Sequence, residues 1–371
     1  MSICFISNIA SHYRANIFSR MCKDLSCDFY FGQPYGSISN IKTLPLSFFT
    51  THAEMLRNIP IPVIGGYWQK GAVGLLKKKY DVYIITGEIA CLSAWALMVL
   101  NRLFFRKKIV LWGHGWYGRE TFLKRIIKKM FFSLSDRILV YGDRAKELMK
   151  KEGVDPRTIF PVHNSLDYDK QQEIINSIPS DDPIQEHFGN NYPAIVFSGR
   201  LTASKRIDEV VEVLSQLRKE NIIVNCVLIG DGPERHNLES LVEKNGLHTQ
   251  VWFYGACYDE STIGRMYWNA AVCVSPGNVG LTAIHSLTYG CPVITHNSFS
   301  YQMPEFEAIQ PGKTGDFFEY NDTLSLKETI RKWTALSSQN KSVIRQACME
   351  SIRKEWTPDY QIRVIRDCCS F

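Results

Sequence analysis

A chain of 371 residues with a net charge of +6 and a pI near 8.6 is too mildly and diffusely basic for a dedicated nucleic-acid binder, though it suits an anionic ligand or an acidic membrane surface. With 45% apolar and 22% charged residues it reads as an ordinary globular protein. At ~100 to 200 residues per domain, two domains are expected, each with its own core.

The opening stretch MSICFISNIA lacks the basic start and long apolar core of a signal peptide and reads as a first strand, followed by the loop SNIASHYR at 7 to 14. Apolar, β-branched runs at 81–87 (DVYIITG), 108–115 (KIVLWGHG), 137–142 (RILVYG) and 158–164 (TIFPVHN) predict further strands, with helical patterns in the gaps. This alternation is the signature of βαβ units and a parallel sheet. His114 stands between two glycines at a strand end, a geometry that points a side chain into a cleft. The longest apolar run, at 90–100, falls well short of the ~20 residues that span a bilayer, so a soluble or peripheral protein is expected. In 121–132 (TFLKRIIKKMFF), helical spacing sets Phe122, Leu123, Ile126, Ile127, Met130 and Phe131 on one stripe and Lys124, Arg125, Lys128 and Lys129 on a basic face. Such a helix suits either an anionic bilayer surface or ordinary packing against a core.

The polar segment 171–191, with two prolines and a Gly-Asn-Asn end, reads as a domain junction. A second series follows: strands at AIVFSGR, IIVNCVLIGDG, VWFYGA, AVCVS and PVIT, with helices at about 205–220 and 281–289, then a helical tail over 325–371. The expected domains are 1–168 and 192–355, joined by a linker at 169–191, with a C-terminal helix at 356–371 that packs back on the first domain. Eleven cysteines without CxxC spacing or histidine partners predict free, buried thiols in a reducing cytoplasm.

Each of several second-half strands ends in residues suited to a phosphorylated ligand. Arg200 and Lys205 offer a guanidinium fork and a point charge at one strand-to-helix junction; Gly230-Asp231-Gly232-Pro233 follows the next strand, and Gly277 and Gly280 precede a helix. Glycines at such turns let backbone N–H groups approach an anion, here read as a diphosphate.

The order of these pieces, from Ala194 to Phe318, resembles the carboxyl-terminal half of the family-4 retaining glycosyltransferases, and more loosely the first 165 residues resemble the remainder through VHNSLD. The resemblance implies the GT-B fold, two Rossmann-like doubly wound domains of the α/β class facing across a cleft. It implies a nucleotide-diphosphate sugar (UDP- or GDP-sugar) as donor and a glycan or lipid-linked glycan as acceptor, in surface polysaccharide assembly. Arg200 and Lys205 match the family's diphosphate-gripping pair, Gly230 to Pro233 its GDGP turn, Tyr254 to Cys257 the stretch beside the base, and Pro304 and Glu305 its Pro-Glu pair. The family's two glutamates, eight positions apart, correspond to Gly277 and His285. His285 can still bond a ribose hydroxyl. Gly277 cannot replace a carboxylate, so Asn278 or the N–H groups of Val279 and Gly280, ahead of Leu281, are expected to contact the sugar. His114 matches a family histidine near the reacting carbon, and His12, Tyr13, Arg14 and Glu88 are expected on the acceptor side.

Fixed cations that neutralise a departing diphosphate need no metal or other cofactor, and Asp167-Tyr168-Asp169 lies in the interdomain turn, so no metal is expected there. A cytoplasmic enzyme, peripheral on the inner membrane face, is the reading that follows. A nucleotide-sugar 2-epimerase of the same architecture would need acidic residues placed for proton transfer, and none stands out. The glycine at 277 keeps a catalytically silent subunit as a further alternative.

Overall fold

The computed structural model describes residues 1–34, 36 and 42–371. They divide into two units, Met1–Leu166 with Pro358–Phe371, and Asp167–Thr357.

The first unit carries eight strands: β1 (Ile3–Ser7), β2 (Cys27–Gly32), β3 (Ala53–Ile61), β4 (Gly66–Lys70), β5 (Val82–Thr86), β6 (Lys108–Gly113), β7 (Arg137–Val140) and β8 (Ile159–Pro161). Their order is β4-β3-β2-β1-β5-β6-β7-β8, parallel except for the antiparallel β3–β4 pair. Phe5 of β1 is flanked in register by Phe29 and Ile84, and β1 and β5 are buried on both faces, which is why these two read as unbroken apolar runs. Helices α1 (Ala15–Leu25), α2 (Leu92–Leu100), α3 (Phe122–Phe132) and α4 (Asp143–Lys151) belong to this unit. β2, β3 and β4 fall where helical patterns were expected. β3 is a largely exposed strand whose apolar residues are broken up by Glu54, Arg57, Asn58 and Pro60, and the hairpin turns on the Pro62–Gly65 stretch, so no unbroken apolar run betrays it.

The second unit has six strands, β9 (Ala194–Ser198), β10 (Asn225–Ile229), β11 (Val251–Gly255), β12 (Val272–Ser275), β13 (Val293–His296) and β14 (Gly315–Phe318), all parallel in the order β11-β10-β9-β12-β13-β14. Its helices are α5 (Tyr168–Asn176), α6 (Pro183–Phe188), α7 (Ile207–Lys219), α8 (Arg235–Lys244), α9 (Glu260–Asn269), α10 (Leu281–Thr288) and α11 (Thr323–Glu355), the last kinked at Asn340. The segment expected as a linker is therefore structured: α5 and α6 start at Asp167 and Asp182, whose carboxylates accept from backbone N–H groups of the first turn, and Pro183 occupies the position where its missing N–H costs nothing.

The last helix, α12 (Pro358–Cys369), is part of the first unit. Arg20 bonds Asp359, and Arg137 Nη1 donates to the carbonyls of Asp367 (2.9 Å) and Ser370 (2.6 Å). All cysteines are free, and every one except the half-buried Cys257 is buried. No described helix is long and apolar enough to cross a membrane.

Candidate functional site

In each sheet the chain leaves one strand toward one edge and returns to continue toward the other, and the crevice at that reversal, beyond the carboxyl ends of the strands, is where such sheets bind ligands. In the second unit the reversal lies between β9 and β12.

There the β9 loop and the β12 loop are joined through Lys205. Its Nζ donates to Asn278 O (2.7 Å) and Oδ1 (3.0 Å), and Gly277 N–H returns a bond to Lys205 O (3.1 Å). Burial pulls the Lys205 ammonium down from its ordinary range, with Glu305 opposing the shift. Arg200, just beyond β9, is exposed and has no hydrogen-bond or ion partner among the described residues. Helix α10 begins at Leu281 without a side-chain cap and without an acidic residue in its first turn, so its positive end is not neutralised from within. Thr282 Oγ1 fixes it to β9 through Ser198 O (3.1 Å).

Gly277 has a packing reason. A Cβ there would lie 2.1 Å from Ser204 O and 2.8 Å from Lys205 Cα, so the backbone of 204–205 fills the space that any side chain, a carboxylate included, would need. Gly230 and Gly232 serve the same end, because their Cβ positions would fall 1.9 Å from Gly199 O and 2.2 Å from Leu201 O. The GDGP turn thus props the Arg200 loop; the sequence reading had its N–H groups facing an anion. Val279 also departs from expectation: its N–H is taken by Gln302 Oε1 (2.8 Å), whose Nε2 donates to Thr295 Oγ1 (2.8 Å) and His296 O (2.9 Å). Of the two N–H groups expected to face a sugar, only that of Gly280 remains, and Glu305 Oε2 lies 4.0 Å from where a Gly280 Cβ would stand. Gln302 was not singled out from the sequence, where it is one more polar residue in a loop.

His285 is likewise engaged. Its Nε2 lies 2.9 Å from Glu260 Oε1, which also accepts from Gln171 Nε2 (2.9 Å) and Tyr289 OH (3.0 Å). Burial alone would raise the Glu260 carboxyl; the His285 bond and charge, with the other two donors, more than offset it and hold the group at about 2. A ribose partner at this position would meet a His–Glu pair, and Glu260, at the start of another helix, had no sequence signal linking it to His285. Tyr254 lies on the edge strand β11, two strands from the reversal, with its ring 5.1 Å from Trp252.

In the first unit the reversal lies between β1 and β5. A pocket at the carboxyl ends of β1, β5 and β6 is lined by Asn8, Tyr13, Arg14, Glu88, Trp112 and His114, so it gathers Tyr13, Arg14, Glu88 and His114 as a group. His12 is exposed and does not line it. The Arg14 guanidinium sits over the Trp112 ring at 4.2 Å. Glu88 accepts from Asn8 Nδ2 (3.2 Å) and Tyr67 OH (3.1 Å), and burial raises its carboxyl against the pull of the Tyr67 bond. His114 lies between the rings of Tyr117 (5.6 Å) and Tyr141 (4.8 Å). Burial, then the charges of Lys128 and Arg14, push it down to about 4, so it is neutral at physiological pH.

The loop bearing His114 is anchored by a buried ion pair. Lys128 Nζ bonds Glu120 Oε1 (2.7 Å) and Gly115 O (2.5 Å), and Glu120 accepts from the N–H groups of Tyr117 (2.8 Å) and Gly118 (3.0 Å). The α3 helix is consequently turned against its sequence pattern. Its buried residues are Lys128, Phe131 and Phe132, while Phe122 (77% exposed), Leu123 (65%) and Met130 (58%) face solvent beside Ile126 and Ile127. Ordinary packing of the whole stripe, with Lys128 on a solvated face, is thereby excluded.

Residues 179–348 match the family model for glycosyl transferases group 1. The O-antigen biosynthesis glycosyltransferase WclY of Escherichia coli is 27% identical over 191 residues, 51% of this chain and 48% of that protein, and the chain spans about half the length of the curated relatives it matches. Among solved structures, the lipopolysaccharide outer core galactosyltransferase WaaB aligns with a TM-score of 0.73 at 14% identity over 99% of both chains, and Anabaena Alr3699/HepE in complex with UDP aligns with 0.73 at 14% over 100% of both. These likenesses place the chain in the fold class that the sequence implied, an α/β protein of two Rossmann-like parallel-sheet units.

Proposed function

We propose that the chain is a group 1 glycosyltransferase that moves a sugar, with retention and without a metal, from a UDP- or GDP-sugar to a glycan or lipid-linked glycan acceptor in surface polysaccharide assembly. The observation that carries this reading is the Lys205–Asn278 junction at the reversal of the second sheet, with Arg200, unpartnered among the described residues, on the loop that follows β9 and the uncapped start of α10 on the loop that follows β12. Two cations and a helix N-terminus are what a departing diphosphate requires, since charge placed in advance lowers the barrier where anionic charge grows. The group 1 match over this unit, the UDP held by HepE and the O-antigen role in the WclY name support the same assignment.

In this reading Lys205 and Arg200 take the diphosphate, Asn278 and the Gly280 N–H take the donor sugar, the His285–Glu260 pair takes the ribose, and Glu305 remains a donor-side residue through its proximity to Lys205 and Gly280. The first unit takes the acceptor, and His114, neutral and able to donate or accept, orients the reacting sugar. Thermal unfolding with UDP, GDP and their sugars tests the donor half: a rise in Tm with one nucleotide, lost in Lys205→Ala, is expected, and no rise with any of them refutes it. Backbone in place of a carboxylate at Gly277 favours one second reading, a donor-binding subunit without turnover; release of free sugar or transfer product from the bound donor decides against it.

The exposed stripe of α3 supports a peripheral position on an anionic membrane. Between Val99 and Ser135 the only acidic residue is Glu120, which is buried, and the adjoining turn at 101–105 adds exposed Leu103 and Phe104. Apolar side chains rimmed by lysine and arginine are the composition of an interfacial helix. The protein is expected to float with phosphatidylglycerol vesicles and not with phosphatidylcholine vesicles, and the double variant Phe122→Ser, Leu123→Ser to lose flotation with its Tm unchanged. Equal flotation of the variant would remove α3 from the membrane assignment.

A further inference from the structure

The first-unit pocket holds a cation with nothing among the described residues to neutralise it. The Arg14 side chain makes no hydrogen bond and no ion pair among the described residues, and its Nη2 is buried without an acceptor. Its position is nonetheless fixed, because the guanidinium lies over Trp112 (4.2 Å) and Phe18 (5.1 Å). Stacking on aromatic faces recovers part of the desolvation cost but leaves the N–H donors of the fork unspent.

Two further groups on the same wall share the imbalance. Trp112, 5% exposed, has an indole Nε1 without an acceptor, and indole nitrogen can only donate. His114 Nδ1 is also buried without a partner and can carry the proton of the neutral ring. Among the described residues the one carboxylate lining the pocket, Glu88, does not answer this need: its two oxygens accept from Asn8 and Tyr67, and it forms no ion pair with Arg14. The pocket thus pairs a fixed cation with uncommitted donors at the sheet's reversal, where a parallel sheet binds its ligand.

We propose that Arg14, Trp112 and His114 form a subsite for an anionic group carried by the acceptor, a phosphate or a carboxylate with several oxygens to offer, so that the acceptor is a charged glycan or glycosyl phosphate. This rests on the reading that the first unit takes the acceptor. A planar guanidinium matches both oxyanions through paired N–H donors, and neutral hydroxyls would leave its charge unmet.

The test uses the full chain and three probes, glucuronate, glucose 1-phosphate and glucose, with binding followed by ligand-observed NMR in the presence and absence of saturating UDP. The two anionic probes are expected to bind about tenfold or more tighter than glucose, the scale of one charge-assisted bond, with UDP present or absent. Arg14→Gln is expected to erase that preference, Arg14→Lys to keep part of it, and Lys205→Ala to leave it intact. A preference that survives Arg14→Gln, or equal binding of all three probes, overturns the proposal. Loss of the preference on adding UDP or in Lys205→Ala also overturns it, because the anion would then be the donor's phosphate. UDP binding by the unaltered chain, measured alongside, reports on the donor reading separately. If Arg14→Gln does not fold, the Arg14→Lys comparison decides: an unchanged preference there, despite loss of the planar fork, counts against the subsite.

Discussion

The two sheets reverse direction in the same way, yet they build opposite kinds of crevice. In the second unit nearly every group is committed: Lys205 to Asn278, Val279 to Gln302, His285 to Glu260, with glycines at 230, 232 and 277 letting backbone pack on backbone. In the first unit the crevice is made of side chains, and Arg14 Nη2, Trp112 Nε1 and His114 Nδ1 have no hydrogen-bond partner among the described residues. A committed, backbone-built site suits a group shared by many ligands, such as a diphosphate, whereas an uncommitted side-chain site can be retuned by single substitutions without disturbing the fold.

That contrast can be broken at its strongest point first. Lys205→Ala removes both the charge and the bond that joins the two loops, and turnover is expected to fall by about 10² to 10³-fold or more, with the far-UV spectrum unchanged. Transfer kinetics within tenfold of the unaltered chain would dissolve the donor assignment.

Gly277→Ala sharpens the difference between the units. With a Cβ forced to 2.1 Å from Ser204 O, it is expected to cost about 1 to 3 kcal/mol and to lower Tm and nucleotide affinity together. Arg14→Gln in the first unit should alter ligand binding with little change in Tm. Calorimetry on the pair settles the matter, and a Gly277→Ala chain as stable as the parent would mean that the 204–205 backbone yields at no cost.

The smallest effect is in pH. Burial brings His114, His163 and His296 to about 4 in the folded chain, against about 6.5 in an unfolded one; nearby cations add to it at His114 and His296, whereas Asp143 opposes it at His163. Between those values the unfolded chain binds more protons, so stability is full above pH 6.5 and declines as pH falls toward 4. His114→Gln should flatten part of that slope, read from Tm across the window. The activity of the parent should show no titration of His114 above about pH 5, and an inflection near 6.5 that disappears in His114→Gln would show the ring to be solvated.

Much of this was legible in the amino-acid order. Apolar runs marked β1 and β5 to β13, most of them buried on both faces and therefore apolar throughout. The order Arg200, Lys205, GDGP and the glycine-led helix marked the second crevice. The exposed strand β3 escaped because polar residues and a proline interrupt its apolar ones, and α5 and α6 escaped because short helices rely on caps and packing.

Sequence alone determined the class of fold and the residue types offered at each strand end, since burial and charge are properties of local composition. Which of those residues are spent within the protein was decided only by tertiary packing. Gly277 is filled by a loop 72 residues away, His285 is met by a glutamate from another helix, and the apolar stripe of α3 faces outward because Lys128 is drawn inward by Glu120. Such pairings depend on distances across the fold, and no spacing along the chain encodes them.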